Sequence, residues 1–223
     1  GYARQDRKDQ PRVPITAKLV ANLIVAAGAT RVLTMDLHAS QIQGFFDIPV
    51  DHLYGINVLC DYFKLKKMKN LVVVSPDVGG IKMARAYAKR LNAGLAIVDK
   101  RRNSPDSTSV MHILGNVRGK TAILVDDICA TAGSIIEAIA ALKKKGVQDV
   151  YAAITHGILS GPAIKRIKEC SHLKELVITD SIPLTKEKQI SKIKSVSVAS
   201  LLAEAIQRIH DEKSISCLFD VTS

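Results

Sequence analysis

The chain has 223 residues, enough for one large domain or a domain and a half, and 47% are hydrophobic, enough to bury a real core. Only 4% are aromatic, so that core must be built from Val, Ile, Leu and Ala. The net charge of +11 is dispersed apart from residues 64–69, 100–102, 143–145 and 186–194. Without an arginine-rich tail or an aromatic-interleaved basic patch, that charge speaks against nucleic acid and for phosphate-rich small molecules.

Cys60, Cys129, Cys170 and Cys217 have neither metal-site nor disulfide-framework spacing, which points to a reduced, intracellular compartment. The longest apolar stretch, residues 15–35, is broken by Lys18, Asn22 and Arg31, so no membrane span is expected.

In chain order, residues 1–12 are polar and charged and read as an exposed loop, supported by Pro11 and Pro14. Residues 15–27 predict a helix with Leu19, Leu23, Ile24 and Ala27 at helical spacing, stopped at Gly28. Residues 31–37 predict a buried strand that runs into Asp36 and His38. Two residues apart, these share one face if the strand continues, and together they can hold a metal or polarise phosphate oxygens. A structural histidine is the plainer reading of His38 taken alone.

Residues 55–68 predict a helix and 70–75, NLVVVS, a buried strand. The strand ends in Pro76, Asp77, Val78, Gly79 and Gly80, and a helix follows over 81–91. The glycines permit close backbone approach to a ligand, or simply a tight turn. Residues 94–98 predict a further strand. Asp99, Lys100, Arg101 and Arg102 then lead into a polar loop through Thr108, either a solvated hairpin or a cationic arm able to close over polyphosphate.

Residues 122–125, AILV, predict the central buried strand. Asp126 and Asp127 follow, then the small-residue turn Ala130, Thr131, Ala132, Gly133 and Ser134, then a helix over 135–142. Small side chains let backbone N–H groups approach a phosphate, and the helix start adds partial positive charge. The two carboxylates can accept from sugar hydroxyls or hold a metal. The plain alternative is a capped strand-to-helix turn. Strand, acid, small turn and helix thus occur twice. On neighbouring parallel strands the two ends would share one crevice at the carboxyl edge of a sheet. Residues 149–155 predict another strand, followed by the turn HGILSGPA at 156–163; 176–179 predict a short strand, 185–195 a solvated basic loop, and 196–208 include a helix.

Val-Asp-Asp followed by Thr-Ala-Gly-Ser resembles the phosphoribosyl pyrophosphate motif of type I phosphoribosyltransferase folds, and its Thr-Ala-Gly form resembles the ribose-phosphate pyrophosphokinase family. YARQD at 2–6, MDLHASQIQGFFDIPVD at 35–51, SPDVGG at 75–80, DKRR at 99–102 and HGILSGPA at 156–163 resemble the same family in the same order. The resemblance implies an α/β fold: a type I phosphoribosyltransferase-like parallel sheet flanked by helices, one complete domain plus the remnant of a second. Residues 1–50 would be that remnant, 51–205 the domain with the ribose-phosphate site, and 206–223 a tail packing back on the first. The implied reaction converts ATP and ribose 5-phosphate to phosphoribosyl pyrophosphate (PRPP) and AMP with Mg2+, in the cytoplasm, in homo-oligomers of dimers assembling to hexamers.

By the same resemblance Arg4 and Gln5 bind ATP. His38 and Asp77 serve the metal, with Asp36, Asp47 and Asp51 beside them. Lys100 and Arg102 are catalytic. Arg102, Asp126, Asp127, Ala130, Thr131, Ala132, Gly133 and Ser134 hold ribose 5-phosphate, and Ser214, Ser216 and Phe219 form an allosteric site. Two departures stand out. The family opens with a longer N-terminal region that completes the first domain. Its motif also carries an aspartate where this chain has Ala130, and a threonine where it has Ser134. Those departures favour the alternative of a catalytically silent regulatory or scaffold subunit. A transferase that consumes PRPP is disfavoured by the tandem acid–glycine strand ends and the Arg4–Gln5 segment.

Overall fold

The computed structural model describes residues 2–8, 10–101 and 110–219. After the leading loop, α1 (Thr16–Ala26) is followed by β1 (Val32–Met35) and β2 (Val50–Leu53), which pair in parallel from Val32 opposite Val50 to Met35 opposite Leu53. A 3-10 turn, Ser40–Phe45, connects them. Then come α2 (Ile56–Leu65), β3 (Leu71–Ser75), α3 (Ile81–Arg90), β4 (Gly94–Arg101) and β5 (Val110–Leu114). They are followed by β6 (Thr121–Cys129), α4 (Gly133–Lys144), β7 (Asp149–Gly157), α5 (Ala163–Glu169), β8 (Leu173–Thr179), β9 (Ile193–Val196) and α6 (Ala199–His210).

The strands after α2 form a seven-stranded sheet in the order β5-β4-β3-β6-β7-β8-β9. The pairs from β4 to β9 are parallel, and β5 folds back antiparallel on β4. Both faces are therefore covered, and the strands must be apolar on both sides. Alternation along β6 shows this: Ala122 and Leu124 pack in the cluster under α4 and α5, whereas Ile123 and Val125 pack in the cluster under α2 and α3. The chain leaves β3 toward β4 on one side and returns to β6 on the other. The carboxyl ends of β3 and β6 thus flank the point where strand order reverses, the position at which open α/β sheets receive ligands.

The two-stranded sheet has its own small core. Leu53, Ala205, Ile215 and Leu218 meet Leu33 and Met35, so α6 and the residues after it lie over β1 and β2. On α1 the buried residues are Ala17 and Ala21, and Ala17 faces Ala39 and Ile42 near the 3-10 turn. The expected stripe is not the buried one: Leu19 and Leu23 are 50% and 60% exposed. Strand boundaries also differ from expectation, most at β4, β6 and β9. β4 continues through residue 101 because β5 pairs with its end, from Ile97 opposite Leu114 to Arg101 opposite Val110. β6 runs four residues past Val125 because β7 continues beside it to Gly157. β9 lies inside the expected basic loop, where the small apolar quota of IKSV pairs with β8.

Candidate active site

Asp126 and Asp127 are not beyond the strand but inside it, with Asp126 still paired with Ile154 of β7. Together with Asp77, Gly79 and Gly80 from the end of β3, and Asp36 and His38 from the end of β1, they line one cavity of about 570 Å³. The crevice expected from two neighbouring strand ends is therefore present, and a third strand end from the other sheet joins it. His38 makes the connection: its Nδ1 lies 2.7 Å from Asp127 Oδ2, across 89 residues of sequence.

Asp126 is the most perturbed carboxyl of the group. Burial, the neighbouring Asp127 and the charge of Asp77 push it up to about 8. The backbone N–H of Asp127 donates to its Oδ1 at 3.0 Å, which only partly offsets this. The group thus disfavours a third negative charge, which keeps Asp126 protonated, and it gains from a cation or from hydroxyl donors.

Around Gly79 and Gly80 the turn is locally closed. Asp77 Oδ1 accepts the Gly80 N–H at 2.9 Å, and Ser75 Oγ donates to Asp77 O at 2.7 Å. A Cβ on Gly80 would stand 2.6 Å from Ser75 Oγ, so only glycine fits this bend. The second turn is built differently. Ala132 precedes α4 with φ 59°, a left-handed conformation that costs a non-glycine residue about 1 kcal/mol or more. Among the described residues no side chain caps α4 and no acid lies in its first turn, which leaves its leading N–H groups suited to an anion. Arg166 of α5 donates from Nη1 to Thr131 O at 2.9 Å and packs against Gly133, whose missing Cβ would lie 3.3 Å from that nitrogen. Sequence reasoning missed Arg166, because one arginine in a basic helix carries no signal of the turn it reaches. The carbonyl of Ala130 accepts the Ser160 N–H at 2.9 Å, which ties the turn to the segment after β7.

A second cavity, of about 530 Å³, shares Asp36, Leu37 and His38 with the first and is otherwise lined by Tyr2, Arg4, Gln5, Ile128, His156 and Ser181, among others. Arg4 and Gln5 are thereby brought beside His38. Asp36 sits in the wall between the cavities with φ 40°, and its Oδ2 accepts from the Gly55 N–H at 2.9 Å and from Thr155 Oγ1 at 2.6 Å. Burial raises its pKa, against those two hydrogen bonds.

Other expected positions lie apart. Asp47 is exposed, 3.8 Å from Lys18 Nζ, and Asp51 is buried against Arg31 Nε at 2.6 Å; neither lines either cavity. Asp51 pairs near the start of β2, opposite Leu33, whereas the crevice lies at the other end of β1. Lys100 does not line the crevice; its Nζ is 2.6 Å from Glu137 Oε2, one turn into α4. Arg102 lies outside the described residues. Ser214 and Ser216 are exposed and joined Oγ to Oγ at 3.0 Å, with Arg208 Nη1 donating to Ser214 O, while Phe219 packs toward the small core.

Among the described residues no three His, Cys, Asp or Glu side chains converge on one ion position. A closed structural zinc site does not fit that donor set. Mg2+ does, because it keeps several waters and takes one or two protein ligands together with substrate phosphates. No helix among the described residues is long and apolar enough to cross a membrane.

Residues 101–220 match the phosphoribosyl synthetase-associated domain, and residues 1–28 match the N-terminal domain of ribose phosphate pyrophosphokinase. The ribose-phosphate pyrophosphokinase of Bacillus cereus is 59% identical over 220 residues, 99% of this chain and 69% of that protein. The enzyme of the same name from Caldanaerobacter subterraneus is 60% identical over 98% of this chain and 69% of its own length. The crystal structure of phosphoribosylpyrophosphate synthetase from Mycobacterium smegmatis superposes with a TM-score of 0.88 at 41% identity, covering 95% of this chain and 69% of that one. With three strand ends converging on one acidic crevice and an uncapped helix start beside it, the chain belongs to the ribose-phosphate pyrophosphokinase family.

Proposed function

We propose that this chain is a ribose-phosphate pyrophosphokinase subunit, transferring the diphosphoryl group of ATP to the anomeric hydroxyl of ribose 5-phosphate. The hydroxyl oxygen forms a bond to the β-phosphorus. The bond from that phosphorus to the α–β bridging oxygen breaks, AMP leaves with the oxygen, and the hydroxyl proton is released. The observation that carries this reading is the His38–Asp127 contact. It joins the wall of the Arg4–Gln5 cavity to the carboxylates of the sugar-phosphate crevice.

In this reading the 5-phosphate rests on the Thr131–Ser134 turn and the start of α4, held by backbone N–H groups. Asp127 and Asp126 accept from the ribose hydroxyls. Ala130 supplies only backbone. Arg4 and Gln5 hold the nucleotide. Protein catalysis here is positioning and charge neutralisation. A bound Mg2+ would supply positive charge against the phosphates. His38 and Asp77 are the residues placed to hold it, Asp127 orients the His38 ring through Nδ1, and Asp36 supports them. Lys100 must leave Glu137 to reach the transferring group, and Arg102 follows it in the chain. Ser214, Ser216 and Phe219 form a regulatory site near a subunit contact, in homo-oligomers of dimers assembling to hexamers in the cytoplasm. Residues 1–50, 51–205 and 206–223 are the corresponding domain division.

Ala130 and the Lys100–Glu137 pair favour one second reading, a regulatory subunit without turnover of its own. A single assay separates the two: AMP formed from ATP, with and without ribose 5-phosphate and Mg2+. Release that requires both supports the enzyme. No release by this chain, with altered turnover of an active relative on mixing, supports the regulatory subunit.

A further inference from the structure

His156 stands on β7 opposite Thr179 of β8, in the wall of the Arg4–Gln5 cavity, and has been given no role above. Its Nε2 lies 3.0 Å from Met35 O and 3.2 Å from Asp36 O. Two carbonyl acceptors require a proton on Nε2, so this nitrogen donates to the backbone at the end of β1. Its Nδ1 lies 2.9 Å from Ser181 Oγ, which fixes the ring from behind. Thr155, the preceding residue on β7, donates from Oγ1 to Asp36 Oδ2 at 2.6 Å, and Gly55 N–H donates to the same oxygen. Gly55 is the residue that fits: a Cβ there would lie 3.2 Å from Asp36 Oδ2 and 3.3 Å from two Thr155 side-chain atoms. The end of β1 is thus gripped on its carbonyls by His156 and on its carboxylate by Thr155 and Gly55. The gripped residue, Asp36, has φ 40°, in the left-handed region that costs a non-glycine residue about 1 kcal/mol or more.

We propose that His156 is a positioning residue for the phosphoryl-transfer site, and that Asp36 is its counterpart in the grip. The pair sets where β1 ends relative to β7 and β6, and so places His38 within reach of Asp127. Among the described residues the two sheets share no strand pairing, so this polar contact does what a ladder of hydrogen bonds would do within one sheet. The role is mechanical. His156 touches the backbone that presents His38, and a displacement of about 1 Å at a reacting group can cost a hundredfold in rate.

The kinetic arm of the test rests on the proposed activity; the spectroscopic arm does not. His156→Met removes the donor at similar size, and His156→Gln restores an N–H donor on a side chain long enough to reach the carbonyls. In the first, kcat should fall about thirtyfold, and in the second it should return to within about fivefold of the parent. The KM for ribose 5-phosphate should stay within about twofold in both, because its contacts lie on β6 and α4. In chain labelled with 15N-histidine, the His38 ring resonances should move toward those of a solvent-exposed imidazole in the Met variant and stay in place in the Gln variant, whether or not the chain turns over. Should the Met variant not fold, Ser181→Ala takes its place, expected to lower kcat about threefold and to shift the His38 signals part of the way. The proposal is overturned if Met and Gln variants behave alike, or if the His38 resonances stay unmoved in the folded variant that lacks the donor or its Ser181 support.

Discussion

The turns after β3 and β6 are written in nearly the same words, yet the molecule uses them differently. After β3 the acid lies at the bend itself, and Asp77 spends one oxygen closing its own turn on the Gly80 N–H. After β6 the acids lie three and four residues before the bend, still within the strand. There Asp127 reaches across to His38, and Asp126 is pressed into a neutral form by burial and its neighbours. The first turn satisfies itself and contributes a carboxylate edge. The second leaves its helix start uncapped, carries a left-handed alanine and leans on Arg166 from another helix. Distance between acid and bend separates a turn that caps itself from one that waits for a ligand.

The comparison breaks most readily at Asp127. Asp127→Ala removes the partner of His38 and the proposed ribose acceptor together, and kcat/KM should fall at least about a hundredfold, as expected for a charged hydrogen bond worth about 3 kcal/mol. Asp77→Ala removes a self-capping contact and one of the residues proposed to hold Mg2+, so part of its loss should be recovered at raised Mg2+, whereas that of Asp127→Ala should not. Equal recovery of both variants in steady-state assays would abolish the distinction between the turns. Next in size is Ala130→Asp. Adding an acceptor for the sugar should lower the KM for ribose 5-phosphate by about ten- to a hundredfold, again from 1.5–3 kcal/mol per charged hydrogen bond. An unchanged KM would mean the second turn does not read the sugar at that position.

Asp126 sharpens the comparison through pH. Its folded pKa, about 8, lies above the unfolded value, so the folded chain binds the extra proton between roughly pH 4 and 8. The stability this contributes is fully present below the unfolded pKa and is lost as pH rises through the folded one. Unliganded chain should therefore lose stability on going from pH 5 to 8, at no more than about 1.4 kcal/mol per pH unit. Urea titrations of Asp126→Asn should show a flatter profile over that interval. The smallest effect is expected at Arg166. Arg166→Ala removes one hydrogen bond to the Thr131 carbonyl, worth about 1 kcal/mol, and should raise the KM for ribose 5-phosphate about fivefold without changing that for ATP. A rise in both would place Arg166 outside the phosphate turn.

What could be read in advance follows from where the signals are local. NLVVVS and AILV announce buried strands because their apolar runs are continuous, and the acids and glycines after them announce a shared edge once the strands are neighbours. β2 gave no such notice: VDHL places Asp51 and His52 in a strand, and both are buried because Arg31 pairs with one and the Leu37 N–H donates to the other. A carboxylate in a motif looks alike in sequence whether it faces a ligand or, as Asp51 does, an arginine. β9 was hidden by the lysines around it, although Lys192 is turned inward onto the carbonyls of Ile167, Lys168 and Cys170 at the end of α5. His156 was visible only as part of a turn. Its carbonyl partners lie 120 and 121 residues away, and no window on the sequence holds both.

The long reach of the His38–Asp127 pair also bears on how the protein comes to be active. Parallel strands joined by helical crossovers hold few local contacts, so their ordering is slow compared with the helices between them. The residues of the crevice come from β1, β3 and β6 and can meet only when both sheets have docked. During renaturation, helical circular dichroism should therefore return well ahead of turnover, and the interval between the two signals measures the time the separate sheets need to find one another.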